Sequence, residues 1–519
     1  MGERAETQSD TIEKEEGRVV GSLDIENGNG DNNDGRVQEL SEQHDMKLAI
    51  AGVAGNILEW YDFAVFGYFS DVIGEVFFPE DAAGEHDSLV KSFAVFGAAF
   101  LARPIGGAVI GWFGDSSGRQ SALELSVVLM ALPTFALGCL PSYSSIGGFS
   151  TFLLILFRFL QGISVGGQLM ASVVFTLEKT NISSWGLWGS SVYAFSQIGV
   201  VIGSLFSYIL REALSDQQLQ DWGWRIPFLL GIFGVIPAYY LKKHGKNSHH
   251  HNQQQHNNNS DSNTLKLVFS KDNRYALMSV VLVVSVSAAS YYLIAIWLPM
   301  FMEIMRIPPI DHAFAISTMV GFIMIPLHFV GGWIADFFTT NGWKRLMILM
   351  ALLLGILSPI FFKQISTIHT NMSETTTGFF AFIYALTLGC FMILYSTSMT
   401  PFIVSRFPVE VRLTSLSIAY NIALCVFGGF SPSVATLLTD ANNQDATSAG
   451  IIITVLAAIS IIGIVTSPSY QYSNNESSIS NDGVSSPVDP STQNVEAEES
   501  DLYLSNDNDD KDSSLPQIS

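Results

Sequence analysis

The chain has 519 residues, 48% of them hydrophobic and only 14% charged, with a mean hydropathy of +0.32. Soluble domains carry about 25% charged residues, so this composition excludes a surface that water alone solvates. The net charge of −22 sits at the ends: residues 1–46 hold 13 acids and 4 bases, and residues 468–519 hold 11 acids and 1 base.

Residues 1–46 are rich in Asn, Gly, Ser, Asp and Glu and nearly free of aromatics, so they bury too little apolar surface to offset the entropy of ordering. The sequence predicts a disordered acidic tail there and a second one over 468–519, with partner binding or phosphorylation as the alternative role. The acidic start does not fit an organellar transit peptide, and no cleavable signal is expected before the first span.

A bilayer core needs about 20 mostly apolar helical residues. Twelve runs meet that requirement: 48–73, 89–113, 121–141, 149–174, 186–210, 223–241, 276–302, 313–338, 345–365, 378–402, 413–438 and 449–467. The expected fold is therefore an all-α membrane protein of twelve transmembrane helices. A polar stretch over 244–273, containing a His, Gln and Asn tract from His249 to Asn259, divides them into six-helix bundles over 47–243 and 274–467. It reads as a flexible linker, with metal binding by its histidines as the alternative. With both termini in the cytoplasm, 18 of the 25 Lys and Arg residues fall on the cytoplasmic side and five on the other, which sets the orientation. Cys139, Cys390 and Cys425 lie in apolar runs and read as free thiols.

Ionisable residues inside spans carry the chemistry, because each is costly there unless paired or hydrated. In the first span Glu59 and Asp62 are three residues apart and share a helix face. Arg103 lies in the second span and Arg158 in the fourth. The reading is a proton site plus a cationic anchor for an anionic substrate; a static ion-pair network is the alternative. Tyr61, Gln168, Tyr291, Tyr395 and Asn421 are further candidates for lining the substrate site. His328 reads as hydrogen-bonded scaffold rather than a proton relay.

After the second span the chain reads Gly111-Trp-Phe-Gly-Asp115-Ser-Ser-Gly118-Arg119, and after the eighth it reads Gly332-Trp-Ile-Ala-Asp336, followed by Lys344-Arg345. The echo is expected of two parallel repeats. Together with Glu178, the charges of this motif form a candidate latch on the cytoplasmic face, so Gly111, Asp115, Gly118, Arg119, Glu178, Asp336 and Arg345 are gating candidates. No nucleophile elbow, phosphate loop or metal-ligand spacing supports an enzyme.

In these residues the sequence resembles the metabolite:proton symporter family of the major facilitator superfamily, which includes carriers of proline/betaine, 2-oxoglutarate, citrate and shikimate. The likeness covers roughly 47–467. It rests on Gly55-Asn56 with Glu59-Trp60-Tyr61-Asp62-Phe63, on Ala102-Arg103-Pro104-Ile105-Gly106-Gly107, and on Gly111 to Arg119. It continues through Arg158-Phe-Leu-Gln161-Gly162 with Gly166-Gly167, Gly223-Trp224-Arg225-Ile226-Pro227-Phe228, and Phe407-Pro408 to Phe427-Gly428-Gly429.

The resemblance implies two bundles that rock about a central site, and proton-driven symport of a small organic acid or zwitterion. It gives Glu59 and Asp62 as candidates for proton coupling and Arg103 for substrate contact. It implies no cofactor beyond the proton gradient. Expected partners are a small-molecule substrate, the proton and the bilayer, with no nucleic acid, and the expected form is a monomer in the plasma membrane. Three departures stand out. Gln168 replaces a family glutamate, Gln120 replaces a base after Arg119, and Ser184-Trp185-Gly186 lacks the usual Arg-Gly. They keep a proton-independent facilitator or exchanger open as an alternative, beside a non-transporting nutrient sensor.

Overall fold

A computed structural model describes residues 56–78, 87–117, 119–166, 168–178, 180–234, 266–338, 340–368 and 373–468. The 1–46 tail, the 468–519 tail past Pro468 and the 244–273 linker up to residue 265, with its histidines, lie outside the described residues.

Among the described residues, nine helices are long and apolar enough to cross a membrane. They match nine of the twelve expected spans. The first span is helical over 56–68 and again over Ser70–Phe77, and its beginning lies outside the described residues. The third is the helix Arg119–Gly138, whose apolar part is the shorter Leu125–Gly138. The sixth begins as Arg225–Leu230 and passes out of the described residues after Gly234.

Several spans depart from a regular α-helix along their length. The fourth ends at Val165 and resumes as Gln168–Glu178. Glycine at this point has a packing reason: a Cβ on Gly166 would sit 2.1 Å from the Arg103 carbonyl oxygen and 2.4 Å from the Gly107 nitrogen. Only glycine lets the two backbones approach this closely. The seventh span widens into π-helical turns over Tyr292–Trp297 and Phe301–Met305, and the eleventh over Leu424–Gly429. Such turns leave the regular hydrogen-bond ladder and often mark functional positions.

The halves of the chain meet along two seams. Helix Trp185–Ala213 lies along Ala313–Asp336, and Asp87–Ser117 packs on Leu424–Gly429 and Ser431–Ala441. Large apolar side chains such as Phe152, Trp333, Phe379 and Val465 are more than half exposed on the outside of the bundle. A surface like that is stable where lipid covers it.

The five bases expected on the outer face all have structural partners. Arg211 Nη2 donates to both Asp71 carboxylate oxygens at 2.8 and 3.0 Å. Arg225 donates to the Gly138 and Leu140 carbonyls, and Arg306 to those of Ile365 and Ile368, so both serve helix C-termini whose carbonyls lack intrahelical donors. Lys91 pairs with Asp87, and Lys363 with Asp445, each at 2.5 Å. Their placement thus has a local cause, and the cationic bias toward the opposite face stands out the more clearly.

Candidate functional site

The two carboxylates of the first span are both buried, yet their surroundings differ. Asp62 is held on all sides: Arg158 Nη1 donates to Oδ2 at 2.7 Å, Gln161 Nε2 to Oδ1 at 2.7 Å and Thr134 Oγ1 to Oδ1 at 2.8 Å. Arg158 also donates to Gln161 Oε1 at 3.0 Å, and its guanidinium carbon lies 4.1 Å from the centre of the Phe66 ring. Three donors fix the Asp62 carboxylate in place, while Arg158 Nε and Nη2, like those of Arg103, have no hydrogen-bond partner.

Glu59 has none of that support. Neither carboxylate oxygen accepts a hydrogen bond, and its nearest cation, Arg103 Nη2, stands 3.7 Å away. Arg103 is equally underused: its Nε and Nη2 have no hydrogen-bond partner, and its guanidinium carbon rests 4.3 Å from the Phe100 ring centre and 4.7 Å from that of Phe63. Phe63 thus lies between the two arginines. Buried polar groups without partners are rare in folded proteins and call for a specific explanation.

Arg103 also lines a small cavity between the halves. Tyr420 and Asn421 supply its other polar side chains, while Val165, Leu169 and Met170 supply hydrocarbon. Asn421 crosses the seam, donating from Nδ2 to the carbonyl of Gly166 at the break in the fourth span, and to Ser417 O at 2.8 Å. Gln168, whose buried Nε2 has no partner, opens the helix that carries Leu169 and Met170. A second, mostly apolar cavity lies nearer the other end of the first span, where Tyr68, Gln197, Ser204 and Ser317 contribute polar atoms and no side chain is charged. We read the site chemistry at the first cavity, because Arg103, whose Nε and Nη2 have no hydrogen-bond partner, lines it.

The remaining candidates fall elsewhere. Tyr61 donates to Pro227 O at 2.7 Å, which ties the first span to the sixth. Tyr395 donates to Val283 O at 2.6 Å and meets the Ser460 hydroxyl. Tyr291 packs edge-on against Trp60 at 5.1 Å and against Tyr292 at 5.5 Å. His328 contacts Met324 O through Nδ1 at 2.8 Å, in keeping with a scaffold role. Sequence reasoning did not single out Tyr420, Thr134 or Gln161 as site residues. Gln161 carried a usable signal, lying one helical turn from Arg158.

At the face that the charge bias assigns to the cytoplasm, two acids bridge the halves. Glu178 Oε1 accepts from Arg412 Nη1 at 2.9 Å. Asp336 accepts from the backbone N–H groups of Gly186 at 2.6 Å and Leu187 at 2.9 Å, at the positive end of helix Trp185–Ala213. Gly111 and Asp115 lie on the backbone of helix Asp87–Ser117, and Arg119 opens the next helix, but their side chains and Gly118 lie outside the described residues. Arg345 is exposed near the start of Thr340–Thr367.

The Asp336 contact requires glycine, since a Cβ on Gly186 would meet Gly332 O at 2.5 Å and Asp336 Oδ1 at 2.6 Å. Gly186→Val is therefore expected to wedge this face open. In a background without native cysteines, a cysteine at Thr400, buried beside Gly189, should be alkylated about tenfold faster in that variant, a population shift of one decade. Equal labelling rates would show that the contact is not a latch.

The model of the Major Facilitator Superfamily matches residues 63–432. The chain belongs to the major facilitator superfamily. A citrate-proton symporter of Klebsiella pneumoniae is 30% identical over 391 residues, spanning 75% of this chain and 84% of that protein. A putative proline/betaine transporter of Staphylococcus haemolyticus is 30% identical over 431 residues, spanning 83% and 88%. Among solved structures, a D-xylose-proton symporter aligns with a TM-score of 0.62 at 16% identity, over 82% of this chain and 98% of that one, which establishes the shared fold. This facilitator is an integral, multi-pass transport protein of the plasma membrane, and it carries a small molecule.

Proposed function

We infer that this facilitator is a proton symporter for a small carboxylate or zwitterion, with Glu59 as the proton site and Arg103 as the substrate anchor. One observation carries the reading: Glu59 and Arg103 are paired at 3.7 Å with no hydrogen bond between them. A substrate carboxylate and the Glu59 carboxylate compete for the same guanidinium. A proton on Glu59 ends that competition and leaves Arg103 for the substrate, so proton and substrate bind together. Asp62, with three donors, serves as the fixed partner of Arg158. The similarity to proteins named as a citrate-proton symporter and as proline/betaine transporters supports the same class.

Alternating access follows from the seams. Glu178–Arg412 and the Asp336–helix contact close one face. Toward the other face, Tyr68 donates to Ala295 O at 2.5 Å and Thr318 to Ser204 Oγ at 3.0 Å. Asn421 on Gly166 links the halves beside Arg103, so an occupant of that cavity acts on the seam itself.

Arg103→Lys tests the anchor. A guanidinium offers a carboxylate two parallel donors, and an ammonium is a point charge on a shorter reach. The half-saturating concentration for uptake is expected to rise by about tenfold, with thermal stability little changed. An unchanged value would remove Arg103 from the substrate site.

A further inference from the structure

We propose that Phe100 is a positioning residue of the proton site: its ring holds the Arg103 guanidinium by one face, keeps it off Glu59, and so sets the pH at which Glu59 takes up its proton. The proposal rests on the reading of Glu59 as the proton site and adds the residue that tunes it.

The contacts around each base separate the two buried pairs. The Arg103 guanidinium carbon lies 4.3 Å from the Phe100 ring centre and 4.7 Å from that of Phe63, while Nη2 stops 3.7 Å from Glu59. Arg158 is stacked likewise, at 4.1 Å on Phe66, and it too keeps Nε and Nη2 without partners. Its Nη1, however, meets at 2.7 Å an Asp62 carboxylate that Gln161 and Thr134 align. Neither Glu59 oxygen accepts a hydrogen bond, so at Arg103 the rings prevail over the ion pair.

Phe100 is itself fixed. It is fully buried, and its ring centre lies 5.3 Å from that of Tyr292 and 5.5 Å from that of Phe96. A Cβ on Gly429 would fall 2.7 Å from its edge. Tyr292 and Gly429 belong to the wide turns of the seventh and eleventh spans, so the other half of the chain backs this ring.

A ring face attracts a cation whether or not a carboxylate nearby is ionised. With Glu59 protonated, the rings go on holding Arg103; with Glu59 ionised, Arg103 can exchange them for the carboxylate. Weakening the ring face therefore costs the protonated state more than the ionised one. Among the described residues, the other ionisable groups beside this pair are Asp62 on the same span, Arg158 on the fourth, Tyr292 on the seventh, and Tyr420 and Cys425 on the eleventh. A change confined to Phe100 leaves all of them in place. Gln168, whose Nε2 is unpartnered, carries an amide that does not titrate.

The test is an infrared titration of the purified full-length protein in lipid, without substrate, with Phe100 replaced by phenylalanine carrying one, two or three fluorines. Each fluorine weakens the negative ring face and barely changes its size. The protonated-carboxyl band that is lost in Glu59→Gln reports Glu59. Its midpoint is expected to fall stepwise along the series, by about one pH unit at three fluorines, the scale of a buried cation–π contact. The same series at Phe66, which stacks on Arg158, should leave the midpoint where it is. A midpoint that stays put with fluorinated Phe100, or moves as far with fluorinated Phe66, overturns the proposal while the Glu59 reading stands. If Glu59→Gln removes no titrating band, the proton-site reading fails and the proposal with it. The singly fluorinated ring, one atom from the native one, carries the test where heavier substitution unsettles the fold.

Discussion

Glu59→Gln is expected to abolish accumulation against a gradient while leaving exchange of substrate intact. Glutamine has the size of the protonated carboxyl and never competes for Arg103. Substrate binding in the variant should therefore lose its dependence on pH, and at neutral pH it should be tighter than in the wild type. For one proton per substrate, each unit of pH difference supports about tenfold accumulation. In the variant that ratio should fall to about one, because the two fluxes are no longer linked. Counterflow of labelled against unlabelled substrate checks that the variant still cycles. A variant that accumulates as the wild type does would move the proton site away from Glu59.

Asp62→Asn is expected to act on the fold rather than on coupling. The substitution leaves the fully buried Arg158 guanidinium without its counter-ion. Breaking a buried ion pair from one side costs about 3–5 kcal/mol, because the stranded charge has no water to return to. Low yield and a markedly lower unfolding midpoint should follow. The double variant Asp62→Asn with Arg158→Gln removes both charges and should recover most of that loss, a coupling that a double-mutant cycle reads directly. If the single variant melts like the wild type and only gradient-driven uptake disappears, Asp62 belongs on the proton path after all.

The sequence made these groups visible because an apolar span leaves every charge conspicuous. Glu59, Asp62, Arg103 and Arg158 stand in runs where an ionised side chain has no other reason to persist. Composition, span lengths and the paired loop motifs were enough for the fold, and the family match over residues 63–432 agrees with it. Which acid meets which base was not readable. Both Glu59 and Asp62 were candidates for coupling, and only packing shows that one is clamped by Thr134, Gln161 and Arg158 while the other is loosely held.

The latch shows the same limit. Glu178 was identified as a gating acid, yet its partner Arg412 lies 234 residues away and belongs to the other half. Asp336 was identified as well, but it binds backbone N–H groups, which have no residue identity to read. The break after Val165 and the wide turns in the seventh and eleventh spans also escaped hydropathy. Their residues are about as apolar as those of a regular helix, so hydropathy carries no mark of them. Asn421 was named as a cavity residue without any sign that its amide would tie down the Gly166 carbonyl.

The most direct test of the account is uptake of labelled glycine betaine and proline into liposomes holding the purified protein, wild type and Glu59→Gln side by side, with an inward-acid pH gradient. The account predicts wild-type accumulation that collapses when a protonophore is added, and equilibration without accumulation in the variant. Wild-type uptake that only equilibrates, indifferent to the gradient and the protonophore, would contradict proton symport and leave a facilitator or exchanger on the same fold.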